Sequence, residues 1–190
     1  PPTPRPHSAS RLALLLSRSD AGGAPGSVSP AVLAEARALG LATTAALEAH
    51  AVGWAPLEAE ALLTLGALTQ GAGELTSAEP MLRDSWARAL VARADRTAVI
   101  AAVNLSFLLE ERGRMKEAQE WSWQAATLRD RVGDDFDLEA RVANQEGHLL
   151  STNGDYRGAE TRYRRAWELR KTHQGEAHPK TVLMWANVGM

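Results

Sequence analysis

The chain has 190 residues and a formal net charge of −2, which excludes a broad basic surface for nucleic acid or anionic membranes. It contains no cysteine, so disulfides and thiolate metal sites are excluded, and a reducing cytoplasm is the location we expect. Hydrophobic residues make up 45% and aromatic residues 5%, a balance that favours closely packed helices over β-sheets.

The first 55 residues predict a linker followed by helices. Residues 1–10 are rich in proline and predict a stiff linker. The apolar run Leu12–Leu16 is too short for a signal peptide or a membrane span, so we predict a short helix around Ser10–Ser19. A second helix is predicted from Pro30 to about Ala51, with Gly40 as a point where it could divide. Residues 11–55 would then form a degenerate N-terminal repeat or cap.

Three later segments share one pattern of small residues. Each has a small residue, a glycine seven positions later and an alanine five positions after that. The three sets are Gly66, Gly73 and Ala78; Ser106, Gly113 and Ala118; and Gly147, Gly154 and Ala159. Two antiparallel helices approach closely where their crossing residues are small, and the middle glycine of each set suits a turn with positive φ. The pattern therefore predicts repeated helix pairs.

The repeat continues to the last residue of the sequence. His178-Pro179 is typical of a helix start, and Thr181–Met190 repeats the first-helix pattern. We predict three complete repeats at residues 56–94, 95–134 and 135–176, then the first helix of a truncated fourth at 177–190. A sequence that stops inside a helix predicts a fragment of a longer protein. The expected fold is an all-α, right-handed α-solenoid of antiparallel helix pairs.

These motifs resemble the tetratricopeptide repeat. Its small–Gly–Ala skeleton is clearest over Gly147–Ala166, and the stretch Gly175-Glu176-Ala177-His178-Pro179 resembles the 42-residue kinesin-light-chain subtype. The resemblance implies a superhelix that binds other proteins in a concave groove, with Asn104 and Asn187 at the positions whose amides bond a bound peptide's backbone. The middle repeat departs from the pattern at three positions, Ser106, Met115 and Ser122. Either Trp121 or Trp123 would supply its missing bulk.

A narrower resemblance concerns Leu33–Gly40 and Gly53–Leu62. These stretches are similar to the C-terminal repeat region of bacterial serine/threonine protein kinases of the myxobacterial kind. The resemblance implies a regulatory or scaffolding arm of a larger signalling protein. No kinase motif occurs in the 190 residues.

No pattern in the sequence predicts an enzyme, a cofactor or a metal site. A phosphate-binding loop, a nucleophile elbow and a His-Glu metal helix are all missing from it. His173, Glu176 and His178 offer too few ligands for a metal, and His178 is expected to start a helix. The acidic residues Asp134 and Asp135, with those that follow, predict a turn in which one Asp caps the next helix.

The predicted binding residues follow one stripe of the first helices, at offsets of three, four and seven. They are Asn104, Phe107, Glu110, Glu111, Arg141, Asn144, Gln145, His148 and Asn187. A peptide or partner helix is the expected ligand, because Arg141 has no second basic residue beside it in the stripe to clamp a C-terminal carboxylate. The alternative is a structural spacer, or self-association through Val182, Trp185 and Val188 of the truncated C-terminal repeat.

Overall fold

The computed structural model describes residues 30–189, and within that range the regular structure is helical, with no strand. The linker at 1–10 and the helix around Ser10–Ser19 lie outside the described residues. Turns of two to four residues join eight helices. They are α1 (Pro30–Val52), α2 (Ala55–Gly71), α3 (Leu75–Val91), α4 (Asp95–Glu111), α5 (Met115–Val132), α6 (Phe136–Thr152), α7 (Tyr156–Gln174) and α8 (Pro179–Val188).

The helices pack as antiparallel neighbours along the chain. The most extensive contacts join α2 to α3, α4 to α5 and α6 to α7, while α1 packs on α2 and α8 packs on α7. We call α2, α4, α6 and α8 the first helices, and α3, α5 and α7 the second helices. Contacts also join α2 to α4 and α4 to α6, so successive pairs stack in register. The predicted all-α solenoid of helix pairs is confirmed.

Helix α1 runs without a break through Gly40, the point at which the sequence could have divided it. A glycine inside a helix costs about 0.5–1 kcal/mol but keeps its backbone hydrogen bonds. The surrounding residues are mostly Ala and Leu, which are strong helix formers and offset that cost.

Within the pairs, the turn glycines adopt the backbone conformation that the repeat pattern predicts. Gly73, Gly113 and Gly154 have φ values of 79°, 72° and 84°. Within residues 30–189, Arg93 in the turn between α3 and α4 is the non-glycine residue with positive φ, at 54°. The sequence pattern gave no sign of it, because Arg has no preference for this region.

In two pairs, the crossing depends on a first-helix residue without a side chain. A Cβ placed on Gly147 would lie 2.7 Å from the ring of Tyr163, and one on Gly66 would lie 2.9 Å from Leu82. Tyr163 and Leu82 each lie one turn beyond Ala159 and Ala78, the alanines of the sequence pattern. The crossing therefore buries a large side chain over the glycine rather than two small residues against each other.

In the middle pair, α4 and α5, Ser106 stands where the other two pairs have the glycine, and its side chain makes a hydrogen bond. The Ser106 hydroxyl donates to the Ala118 carbonyl oxygen at 2.6 Å, and both residues are fully buried. Trp121 is the tryptophan that supplies the missing bulk, since it is buried and meets Trp86 edge to face at 4.9 Å. Trp123, in contrast, is 70% exposed.

Gly147→Ala tests the crossing. We expect it to destabilise the protein by about 1–3 kcal/mol, because the new methyl group overlaps the buried Tyr163 ring. Gly40→Ala is the matched control, since its Cβ meets no atom within 4 Å, and it should stabilise by about 0.5–1 kcal/mol. Denaturant unfolding followed by circular dichroism measures both changes, and equal effects would contradict the packing described.

Candidate binding surface

Helices α4 and α6 meet through side chains of the predicted stripe. Phe107 packs edge to face on His148, with ring centroids 5.0 Å apart. One turn further along, the Thr152 hydroxyl donates to Glu110 Oε1 at 2.6 Å. These two contacts therefore join the stripe of α4 to the stripe of α6.

Helices α6 and α8 meet through two asparagines of the stripe. The Asn187 amide donates to Asn144 Oδ1 at 2.8 Å. Asn144 is buried and Asn187 is half-buried. One N–H of Asn187, a residue that the resemblance assigns to peptide binding, is thus used between neighbouring repeats. The Asn187 amide keeps its second N–H and its oxygen for other hydrogen bonds.

His148 is held between aromatic rings. It packs on Phe107, as described, and on Tyr163 at 5.4 Å. Burial lowers the pKa of His148 below its usual range, and the nearby Glu110 carboxylate opposes this shift. The His148 ring therefore joins two repeats through its aromatic contacts, and its burial favours the uncharged form.

Gln145 does not line an open surface. Its side chain is 1% exposed, and both amide heavy atoms have no hydrogen-bond partner among the described residues. It holds the same register as Asn104 and Asn187, two positions before the small residue of its repeat. Asn104, at the equivalent position of the preceding repeat, is half-buried.

The remaining stripe residues, with Ile100 and Leu183 on the same face, form what we call the first-helix surface. Its members are partly or fully exposed and come from α4, α6 and α8. They are Ile100, Asn104, Phe107, Glu110, Glu111, Arg141, His148, Leu183 and Asn187.

Four cations surround Asp137, in the first turn of α6. Its carboxylate accepts hydrogen bonds from Arg141 Nε at 2.8 Å, Arg170 Nη2 at 2.8 Å and Arg96 Nη2 at 3.2 Å. The Lys180 ammonium lies 3.8 Å away. This group, which we call the Asp137 cluster, draws residues from α4, α6, α7 and α8. Arg141 therefore has basic neighbours, and none of them belongs to the predicted stripe.

This cluster strongly favours the ionised form of the Asp137 carboxyl group. Burial acts to raise the pKa of Asp137, but hydrogen bonds and charges from Arg141 and Arg170 outweigh it and lower the pKa to about 2. Arg170 is 1% exposed, so its charge is compensated inside the protein by this carboxylate.

Asp135 supports the same region from the turn before α6. Its carboxylate accepts from the Leu138 backbone N–H at 3.1 Å, which confirms the predicted capping Asp. Its other oxygen accepts from Arg96 Nε at 3.0 Å. Arg96 therefore bridges Asp135 and Asp137 from the preceding repeat.

The histidines near the last turn have structural contacts. His173 stacks on Phe136 with ring centroids 4.3 Å apart, and His178 caps α8 by accepting from the Lys180 backbone N–H at 3.2 Å. Across the described part of the chain, no three His, Asp or Glu residues are grouped so that they could hold a metal ion. No helix within residues 30–189 is both long and apolar enough to span a membrane.

Comparisons with known proteins agree with the fold. A family model described as "Tetratricopeptide repeat" matches residues 140–180, which run from α6 to the start of α8. The crystal structure of BtubC (BKLC) from P. vanneervenii is similar, with a TM-score of 0.67 and 22% identity. The match covers 82% of this chain and 65% of that one. No curated protein sequence matches.

Tetratricopeptide repeats are generally protein–protein interaction modules, and their all-helical fold is typically non-catalytic. At 22% identity the structural similarity shows the fold alone. Neither match relates the chain to a kinase.

Asp137→Asn tests the ion network. We expect a loss of about 3–5 kcal/mol of stability, because the variant leaves the buried Arg170 without its counter-charge. Asp134→Asn, an exposed position in the preceding turn, should change stability by less than about 0.5 kcal/mol. Thermal unfolding at neutral pH distinguishes the two variants.

The same network gives a pH dependence with a defined sign. The pKa of Asp137 is about 2 when folded, against an ordinary value of 3.8, so the unfolded chain takes up the proton first. The stabilisation is therefore complete above about pH 4 and is lost as the pH falls through about 2. Unfolding measured between about pH 5 and about pH 2 should show this loss in the wild type and less of it in Asp137→Asn.

Proposed function

We propose that the chain is a protein-interaction module that binds a peptide or partner helix across the first-helix surface. The observation that carries this proposal is the continuity of that surface. Phe107 joins α4 to α6 by packing on His148, and Asn187 joins α6 to α8. Polar and apolar groups lie mixed on the surface, which suits a ligand recognised through both kinds of contact.

The size of the surface fits a short ligand. Packed helices have axes about 8–10 Å apart, so three first helices span roughly 20 Å. That distance corresponds to about six residues of extended chain or about 13 residues of helix. Ile100 and Leu183 would supply apolar contacts, while Glu111 and Arg141 would fix the ligand's orientation.

We further propose that the module is the regulatory or scaffolding arm of a larger signalling protein, such as a bacterial serine/threonine kinase. Support for the kinase comes only from the sequence resemblance of Leu33–Gly40 and Gly53–Leu62. Sequencing the coding region before Pro1 tests it. A Gly-rich loop, an His-Arg-Asp loop and an Asp-Phe-Gly motif would support the kinase link, and a different domain would remove it.

Self-association is the second candidate function, and the exposed apolar side chains of α8 favour it. Val182, Leu183 and Trp185 are 55%, 61% and 52% exposed. If α8 joins two copies, light scattering should detect dimers that Val182→Glu converts to monomers. A wild-type chain that stays monomeric at high concentration would exclude this function.

Selection from a library of short random peptides tests the interaction module. We expect enriched peptides whose affinity falls about tenfold in Leu183→Glu, because the new charge lies on the first-helix surface. Val91→Glu is the control, since Val91 is an exposed apolar residue at the end of the second helix α3. Fluorescence anisotropy measures both affinities at concentrations where the chain is monomeric.

If no peptide is enriched, the interaction module is contradicted. If Val91→Glu weakens binding and Leu183→Glu does not, the ligand binds on another face of the array.

A further inference from the structure

Trp123 projects into solvent from the middle of α5, which runs from Met115 to Val132. It is 70% exposed, and its ring has no aromatic or cation–π partner among residues 30–189. Trp121, two positions earlier, is buried in the core. Single exposed apolar residues are common on protein surfaces, so the residues around Trp123 decide what it can do.

Trp123 belongs to an exposed stripe along α5. Residues seven positions apart lie on the same side of a helix. Lys116 lies seven positions before Trp123, and Asp130 lies seven positions after it. Gln119 and Thr127 lie four positions before and four positions after Trp123. All five side chains are exposed, and we call them the α5 stripe.

The α5 stripe is complementary to itself when two copies of the helix pair in opposite directions. A two-fold axis through Trp123 sets each preceding residue opposite the residue that follows Trp123 by the same number of positions in the second copy. Lys116 then faces Asp130 of the second copy at both ends of the contact, and Gln119 faces Thr127. Parallel pairing would set Lys116 against Lys116 and Asp130 against Asp130, and like charges repel. The order of charges therefore favours the antiparallel arrangement.

The charges at both ends of the α5 stripe remain accessible. Lys116 has no ion-pair partner among residues 30–189. Asp130 is 69% exposed and uses only Oδ1 in its contact with the adjacent Arg129. Glu120, a further exposed charge on this side of α5, would face the uncharged Ala126 of the second copy. Antiparallel pairing therefore gives two opposite-charge pairs and sets no like charges directly against each other along the stripe.

The shape of α5 supports the same arrangement. A shallow groove of about 420 Å³ lies on the N-terminal side of Trp123, and its lining includes Gln119 and Glu120. The C-terminal side carries Ala126 and Thr127, whose side chains are small. In the antiparallel pair, these small residues enter the groove of the other copy and the two indole rings meet at the axis. An aromatic pair contributes about 0.5–1.5 kcal/mol beyond the burial of its surface.

The packing of the array leaves room for a second copy at α5. Successive first helices contact one another along the stack, whereas α3, α5 and α7 approach each other less closely. The second-helix layer is therefore the convex side of the stack, and its helices diverge on either side of α5. A copy that approaches α5 meets this helix before it meets α3 or α7.

We propose that the α5 stripe is a dimerisation surface, and that its partner is a second copy of this chain paired antiparallel about a two-fold axis through Trp123. The proposal goes beyond the proposed function, because the contact uses a second helix and leaves the first-helix surface of both copies free. It also differs from self-association through α8, which uses other residues.

The size of the contact indicates a weak dimer. Helix α5 has 18 residues. A helix of that length is about 27 Å long and about 10 Å wide, so the contact buries roughly 500 Å² in total, well below the roughly 1,200 Å² of a stable interface. The dimer therefore forms at high protein concentration and exchanges with the monomer.

Charge exchange tests the antiparallel contact. Sedimentation equilibrium at about 0.5 mM protein and low ionic strength should detect dimers of the wild type. Lys116→Asp and Asp130→Lys should each weaken the dimer about tenfold or more, because like charges then face each other. The variant with both changes should dimerise again, and an equimolar mixture of the two single variants should form mixed dimers. Restored association shows that the single variants are folded.

The tryptophan gives a test with a matched control. Trp123→Ala should weaken the dimer about tenfold or more, because the apolar centre of the contact is removed. Trp54→Ala removes a tryptophan that is 60% exposed just before α2, and it should change the association by less than about twofold. Val182→Glu, which alters the exposed face of α8, should leave this dimer intact.

Disulfide cross-linking tests the direction of the two helices, and the chain has no cysteine of its own to interfere. Under oxidising conditions, Gln119→Cys mixed with Thr127→Cys should give a cross-linked dimer, because the two positions face each other. Either variant alone should cross-link much less. Its own cysteines would lie eight positions apart along the antiparallel pair, or about 12 Å, beyond the reach of a disulfide.

Several outcomes would overturn the proposal. A chain that stays monomeric at about 1 mM has no such contact, and a double charge exchange that fails to restore dimers removes the antiparallel pairing. Dimers lost in Val182→Glu but kept in Trp123→Ala would assign the contact to α8. Equal cross-linking of Gln119→Cys alone and in the mixture would also contradict the arrangement. None of these outcomes affects the proposed binding of a peptide or partner helix.

Discussion

The solenoid depends on the close crossing of the two helices in each pair. The Tyr163 ring can pack this close to α6 only because Gly147 has no side chain, and Leu82 has the same relation to Gly66. Where the glycine is replaced by Ser106, the hydroxyl bonds a carbonyl of the partner helix and keeps the crossing tight. A wider crossing in any pair would rotate the next pair, since each unit of a solenoid contacts only its neighbours.

The alignment of the first helices follows from these crossings, and the continuity of the first-helix surface follows from the alignment. Side-chain contacts then join neighbouring first helices outside the Asp137 cluster, among them Phe107 with His148, Thr152 with Glu110, and Asn187 with Asn144. Such contacts reduce the freedom of the groups that a ligand would meet. Less conformational entropy is then lost on binding.

The sequence predicted those features that depend on positions close together in the chain. The turn glycines, the small residue on each first helix and the capping Asp135 lie within one repeat, so their spacing is readable as a pattern. The large side chains Leu82 and Tyr163 that pack over Gly66 and Gly147 were not predicted. The Asp137 cluster could not be read in this way. Its cations Arg96 and Arg170 lie 41 and 33 residues from Asp137, and many other charged residues have similar spacings. Only the packing of four helices selects these partners.

Gln145 and Asn187 occupy equivalent positions of their repeats, and their different surroundings could not be predicted from the sequence either. Asn187 donates a hydrogen bond to Asn144 on the neighbouring first helix. For Gln145 the corresponding residue of the preceding repeat is the apolar Val103, which has no side-chain hydrogen-bonding group. An amide with an amide neighbour is satisfied, and Gln145 has no partner among the described residues. Equal register therefore does not imply equal exposure or equal function.

The Asp137 cluster also compensates a charge that would otherwise be unpaired inside the protein. A buried arginine needs a fixed counter-charge, because an uncompensated charge away from water is strongly destabilising. Asp137 supplies that counter-charge to Arg170, whose side chain is buried. The same carboxylate holds Arg141 by Nε, so it orients that guanidinium without bonding its terminal nitrogens. One side chain therefore joins α4, α6, α7 and α8 and contributes to the stability of the last repeats.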